Sequence, residues 1–275
     1  RRLKAMGFVV TLDEAALTKH QRFSGDDEVR LAAIHRVARA APSIAMATRG
    51  GYGITRLMDR IDWKLMARSV DQGTRWVGYS DLTALQMGLL AHTGASSWCG
   101  PMASDDFGRT ELDEVTPDCF AEAMSGELEA IGFRTETGFD GLDAKGVLWG
   151  GNLSVLVSLL GTPYWPEVKG GVLFIEDVNE HPFRIERMLT QLLHAGVLAR
   201  QKAIVFGQFT GIRLAPHDKG YKLATVVAWL RGQLKVPVLT GLPYGHVPTK
   251  VLLPVGAKVD LLVEGRDALM VWGHL

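Results

Sequence analysis

The sequence predicts an α/β protein with an N-terminal parallel-sheet domain, Rossmann- or flavodoxin-like, and a C-terminal mixed β/α domain. Three observations lead there. Short apolar runs alternate with stretches of helical spacing in both halves of the chain. That rhythm belongs to βαβ units, which build parallel sheets covered by helices. The 275 residues are 47% hydrophobic, enough to fill one large core or two smaller ones. Residues 103–145, by contrast, are polar, acidic and broken by Gly and Pro. The expected division is 1–115 for the first domain, 116–144 for a connection and 145–275 for the second.

The elements follow in order. "RRLKAMGFVV" opens as the tail of a helix, stops at Gly7 and continues as an apolar strand. An α/β domain rarely opens in mid-helix, so an N-terminal strand and part of a helix are expected to be missing. "SIAMAT" (43–48) is a strand and "ITRLMDRIDWKLMARS" (54–69) a helix. "RWVGY" (75–79) is a strand, "DLTALQMGLLAH" (81–92) a helix with Leu82, Leu85 and Leu89 on one face, and "ASSWCG" (95–100) a strand. A short helix near 117–130 interrupts the connection. In the second half, "GVLWGG", "GGVLFIED" (170–177) and "KAIVFGQF" (202–209) are strands. The helices of "NLSVLVSLLG" and "HPFRIERMLTQLLHAG" (181–196) lie between them. After residue 235, "PVLTGL", "KVLLPVG", "AKVDLLVEG" and "ALMVWG" read as short strands of an antiparallel set.

Composition narrows the function. Formal net charge is zero, with no basic face or tail, which argues against nucleic-acid and anionic-membrane partners. No apolar run is long enough to span a bilayer. Cys99 and Cys119 make neither a disulfide framework nor a metal spacing, so a reducing, cytoplasmic setting is the expectation.

Three stretches carry chemistry. Ser80 stands between a strand and a helix in "GYSD". A serine there commonly caps the helix. It can equally be a nucleophile on a sharp elbow, where the next backbone N–H, that of Asp81, helps hold an oxyanion. The second glycine of G-x-S-x-G is absent, since Leu82 stands in its place. "ATRGGYG" (47–53) is either a flexible turn or a wall of backbone N–H donors beside that elbow. "VLFIEDVNEHPF" (172–183) ends a strand in Glu176 and Asp177. Side-chain alternation sends one of the two to solvent and the other toward the core or a cleft. These acids can be loop residues before a helix, a metal cluster with His181, or the source of a triad acid, Glu176. Among the eight histidines, His20, His35, His92 and His194 sit in helical or linker contexts, His217 in a polar loop and His274 beside the C-terminus. His246, in the Gly/Pro-framed loop "GLPYGHVPTK" after a strand, is where a catalytic side chain is best presented.

Taken together, the segments resemble a family. "RGGYGITRLMDRIDW", "GYSDLTALQMGLLAH", "GPM" (100–102), "LWGGNL" (148–153), "IEDVNEHPFRIERMLTQLLHAG" and "TGLPYGHVPTK" stand in the order found in the serine LD-carboxypeptidases. These are the muramoyltetrapeptide carboxypeptidases of murein recycling, and the resemblance runs from about residue 20 to the end. It implies a two-domain homodimer that needs no metal or cofactor. It also implies a Ser–His–Glu triad of Ser80, His246 and Glu176, with Ser80 doubling as the cap of its helix. The oxyanion hole it implies comes from the N–H groups of Gly51 and Asp81. Arg49, beside the glycine loop, and Asn152 are candidates for binding substrate, an arginine being suited to a carboxylate. The family's first strand and turn are absent, in line with the truncated opening. Three other readings stay open. One is a relative that hydrolyses peptidyl- or aminoacyl-nucleotide antibiotics for self-immunity. Another is a non-catalytic protein binding an anion through "RGGYG". The last is a metallohydrolase using Glu176, Asp177 and His181.

Overall fold

A computed structural model describes all of residues 1–275. The chain opens with helices α1 (Arg2–Ala5) and α2 (Asp27–Ala40). The Asp26 carboxylate caps α2 by accepting from Val29 N–H, and Asp27 and Glu28 sit in its first turn. Acidic groups there complement the positive end of the helix. β1 (Ile44–Met46), α3 (Trp63–Asp71), β2 (Arg75–Gly78), α4 (Leu82–Thr93) and β3 (Ser97–Cys99) follow, and β1, β2 and β3 pair in parallel. α5 (Val115–Ser125) and β4 (Ala130–Arg134) come next.

The second half contains β5 (Asp143–Asn152), α6 (Leu153–Ser158), β6 (Val172–Val178), α7 (Pro182–His194), β7 (Ala203–Thr210), α8 (Leu223–Gln233), β8 (Val238–Leu239), β9 (Leu253–Val255), β10 (Lys258–Glu264) and β11 (Asp267–Val271). Its seven-stranded sheet has the order β4-β11-β10-β5-β6-β7-β8. The run from β5 to β8 is parallel, and β10, β11 and β4 add antiparallel. This mixed α/β architecture is the predicted class.

Several expectations need correction. Residues 7–10 form no strand, and Val9 is almost wholly exposed. The stretch 54–69 is not one helix: a short 3-10 turn (Ile54–Arg56) precedes α3, which starts only after Asp62. The Asp62 carboxylate accepts from Leu65 N–H, so a cap stands where the pattern read as helix interior. The C-terminal strands are not one antiparallel set. β8 is parallel to β7, while β9 leaves the second half and pairs antiparallel with β3, closing the four-stranded first sheet in the order β1-β2-β3-β9. Conversely, β4 from the expected connection forms the edge of the second sheet. A single apolar cluster of 63 buried residues runs through both sheets.

Candidate active site

Parallel strands end where their helices begin, and both sheets place a strand end at one shared cleft. β2 ends at Gly78, and Tyr79 and Ser80 turn the chain into α4. A side chain at Gly78 would put its Cβ 2.5 Å from Leu82 Cδ2 and 3.1 Å from Ala47 Cβ, so the tight approach needs glycine. Ser80 itself has φ +62°, a left-handed conformation that serine adopts at a cost. This is the elbow geometry. The expected capping role is corrected: the residue at the N-cap is Asp81, and the Ser80 hydroxyl makes no bond to the helix. Asp81 instead turns its carboxylate to Ile54 N–H at 2.9 Å, tying the elbow to the glycine loop.

β6 supplies the acid. Its pairing with β7 shifts register between Ile175 and Asp177, where β7 carries the extra residue, Gly207 and Gln208 standing opposite Glu176. Both acids are buried, Glu176 at 0% and Asp177 at 2% exposed, against the expectation that one would reach solvent, because a parallel sheet is covered on both of its faces. Asn152, at the end of β5, donates to both: 3.2 Å to Glu176 Oε1 and 2.9 Å to Asp177 Oδ1. Asp177 also accepts from the N–H groups of Ser154 and Val178, at 2.8 Å each. Burial nevertheless pushes its carboxyl up to about 6.

His246 arrives on the loop after β8 and completes the group. Its Nδ1 lies 2.7 Å from Glu176 Oε2 and its Nε2 3.1 Å from Ser80 Oγ. The ring is one-fifth exposed, at the mouth of the cleft, while the acid behind it is sealed. The N–H groups of Gly51 and Asp81 are free of any acceptor within the chain. Gly50 packs so closely that a Cβ there would lie 2.8 Å from Ser80 Cβ. The arrangement combines an elbow hydroxyl, an imidazole able to take its proton, a buried carboxylate on the far ring nitrogen, and unoccupied backbone donors alongside.

Residues 1–100 match the LD-carboxypeptidase N-terminal domain, and residues 145–261 match the LD-carboxypeptidase C-terminal domain. The chain belongs to the LD-carboxypeptidase family. Its members are serine peptidases, and this chain is an enzyme of that kind. It is 33% identical over 279 residues to a probable murein peptide carboxypeptidase of Bacillus subtilis, covering 98% of this chain and 85% of that protein. The crystal structure of a muramoyltetrapeptide carboxypeptidase from Oxalobacter formigenes superposes with a TM-score of 0.90 at 40% identity, over 100% of this chain and 93% of that one. The microcin C7 self-immunity protein MccF of Escherichia coli is 27% identical over 252 residues, covering 81% of this chain and 72% of that protein.

The other candidate positions in this LD-carboxypeptidase family member fall out unevenly. Asn152 does not offer its amide to a substrate. It is 4% exposed, its amide hydrogens go to the two acids, and its carbonyl accepts from Ser154 Oγ and Val155 N–H. Arg49 is open, with a side chain 74% exposed and its Nε a loose 3.9 Å from Asp105. The Glu176–Asp177–His181 cluster does not converge. His181 Nε2 pairs with Asp218 at 3.0 Å, and its Nδ1 caps α7 by accepting from Phe183 N–H. Sequence reasoning missed Thr83, whose Oγ1 accepts from Asn152 N–H at 3.1 Å and links α4 to the second sheet. Its position one turn after Ser80 was the only signal.

Proposed function

We propose that the protein is a serine carboxypeptidase that hydrolyses the L,D amide bond of murein tetrapeptide, releasing the terminal D-alanine in peptidoglycan recycling. The observation that carries this reading is the position of His246 between Ser80 Oγ and Glu176. The Ser80 hydroxyl attacks the carbonyl carbon of the third residue, and His246 Nε2 takes its proton. Glu176, accepting from Nδ1–H, fixes the tautomer that leaves Nε2 free to act as a base and stabilises the imidazolium. The N–H groups of Gly51 and Asp81 hold the oxyanion of the tetrahedral intermediate. His246 then protonates the leaving amine, and free D-alanine departs. Water, deprotonated by the same nitrogen, attacks the acyl-serine. The C–O bond to Ser80 breaks, the proton returns to Ser80, and the shortened peptide leaves as a carboxylic acid.

Arg49 is the proposed partner of the terminal carboxylate, which a guanidinium can grip through two parallel bonds. A homodimer acting in the cytoplasm is part of the same reading. The free, buried Cys99 and Cys119 suit a reducing compartment. Light scattering tests the assembly state.

The deciding experiment is mass spectrometry on L-Ala-γ-D-Glu-diaminopimelate-D-Ala and on its C-terminal L-Ala epimer. Loss of one alanine from the first and little from the second is expected. Equal cleavage of both, or cleavage only of aminoacyl-nucleotides, would overturn the murein assignment in favour of an immunity-type hydrolase.

A further inference from the structure

Beneath the triad lies an ion pair with no access to water. The Lys250 ammonium and the Asp106 carboxylate are in direct contact, and both side chains are 0% exposed. Burying two charges costs more than their attraction commonly returns, so a pair of this kind adds little stability over an apolar equivalent. Its surroundings give it another use. Lys250 lies four residues after His246, at the end of the loop that presents the imidazole. That loop is closed on itself by Val251 N–H donating to Pro243 O at 2.9 Å. The ammonium sits 4.7 Å from the centroid of the Tyr79 ring, and Tyr79 immediately precedes Ser80. The same ring meets His246 in an edge-on arrangement with centroids 4.9 Å apart.

Asp106 belongs to the opposite wall. Its second oxygen accepts from Met102 N–H at 2.8 Å and so shapes the turn after β3. That turn supports the glycine loop, since Ala103 N–H donates to Ala47 O at 3.0 Å and Ser104 N–H to Thr48 O at 2.8 Å. Met102 Cε also packs 3.4 Å from where a Cβ on Gly50 would stand. A second latch holds the histidine loop from the side of α5. Thr116 Oγ1 accepts from Lys250 N–H at 2.9 Å and faces Pro248 O at 3.4 Å.

We propose that Lys250, Asp106 and Thr116 are positioning residues that lock the histidine loop and the glycine loop into one rigid frame around Ser80. This rests on the triad reading above. None of the three touches substrate or the reacting atoms. They fix the distance between the base, the nucleophile and the oxyanion donors, which come from segments far apart in sequence. Errors on the order of 1 Å in such geometry cost about 100-fold in rate.

The test compares the wild type with Asp106→Asn/Lys250→Met, in which the charges are removed together and the Met102 acceptor is kept. Thr116→Val and Thr116→Ser form an independent pair of variants that leaves the ion pair intact. Two quantities are measured at a temperature where every protein is fully folded: kcat and KM on the tetrapeptide, and the rate at which a fluorophosphonate labels Ser80. Labelling reads the serine machinery whatever the natural substrate is. A wild type that is labelled but does not cut the tetrapeptide would therefore count against the murein reading alone. The expected result for the double variant is a fall of about 100-fold in kcat and in labelling rate, with KM nearly constant. Thr116→Val should fall by about tenfold and Thr116→Ser should return to near the wild-type rate. If the double variant does not fold, the Thr116 pair decides. Wild-type kcat and labelling in folded Asp106→Asn/Lys250→Met, or equal rates in Thr116→Val and Thr116→Ser, would overturn the proposal.

Discussion

Glu176 Oε2 and His246 Nδ1 meet at 2.7 Å although the two residues are 70 positions apart in the chain. The acid has no solvent access, and its other oxygen is held by Asn152. A carboxylate so confined can turn neither away from the ring nor toward water. The imidazole inherits its orientation.

Removal of any member of the proposed triad should therefore be severe and non-additive. Ser80→Ala and His246→Ala should each lower kcat by on the order of a millionfold, and the double variant should be no worse than either alone. Glu176→Gln keeps the shape but favours the wrong tautomer, and a loss of about 10,000-fold is expected. Circular dichroism confirms folding. Near-normal turnover by folded Ser80→Ala would end the serine mechanism.

Gly50→Ala should damage catalysis more than stability. The added methyl would lie 2.8 Å from Ser80 Cβ and 3.0 Å from Ser80 Oγ, so the nucleophile must move. The expected loss in kcat is about 100-fold, with a melting temperature close to the wild type. Steady-state kinetics beside thermal denaturation checks both. Unchanged kcat would show that the Ser80 rotamer is not under the glycine loop's control.

Asp177 should leave a signature in the pH dependence of stability. Its folded-state carboxyl is pushed up to about 6 from 3.8, chiefly by burial. Between those values the folded state holds the proton more tightly than the unfolded state does. Wild-type stability should accordingly decline, relative to Asp177→Asn, as pH rises through that window, by about 2–3 kcal/mol in all. Below 3.8 and above 6 the difference should be flat. Urea denaturation of both proteins across pH 3.5 to 7.5 measures it, and a difference that does not vary with pH would show that Asp177 titrates normally.

Chelation should not matter. Of the residues nearest to a metal pattern, Glu176 is committed to His246 and Asn152, and both ring nitrogens of His181 are engaged elsewhere. Hydrolysis of the tetrapeptide should be the same before and after dialysis against EDTA. Activity that is lost and then restored by a divalent ion would move the chemistry away from Ser80.

The sequence was informative where chemistry is local. Ser80 at a strand-to-helix junction, the glycines at 50 and 51, and an apolar strand ending in Glu176 could all be read from neighbours alone. What was not legible depends on tertiary context. Lys250 has the spelling of a surface lysine, and only the folded chain removes it from water. Asn152, a candidate for binding substrate, is claimed instead by two carboxylates that only the folded chain buries beside it. Both faces of the sheet are covered at Glu176 and Asp177, so alternation brought neither acid to solvent. Helix periodicity ran through Asp62 because a cap and a surface aspartate are spelled the same way. α2 and α8 lay in stretches to which no element was assigned, although Asp26 before α2 carried a readable cap signal.

The strand Leu253–Val255 has a consequence for how the molecule is made. The first sheet draws three strands from residues before 100 and its fourth from residues after 250. During synthesis the outer edge of Ser97–Cys99 stays unpaired until Leu253–Val255 has been made, and only then is the ladder closed. An unpaired edge is a template for pairing with the wrong chain. The first sheet thus cannot close its ladder from the first half of the chain alone. The same threading fastens the wall bearing Ser80 to the segment that follows His246. Any separation of the two walls would have to break the main-chain hydrogen bonds of that ladder, not merely turn a linker.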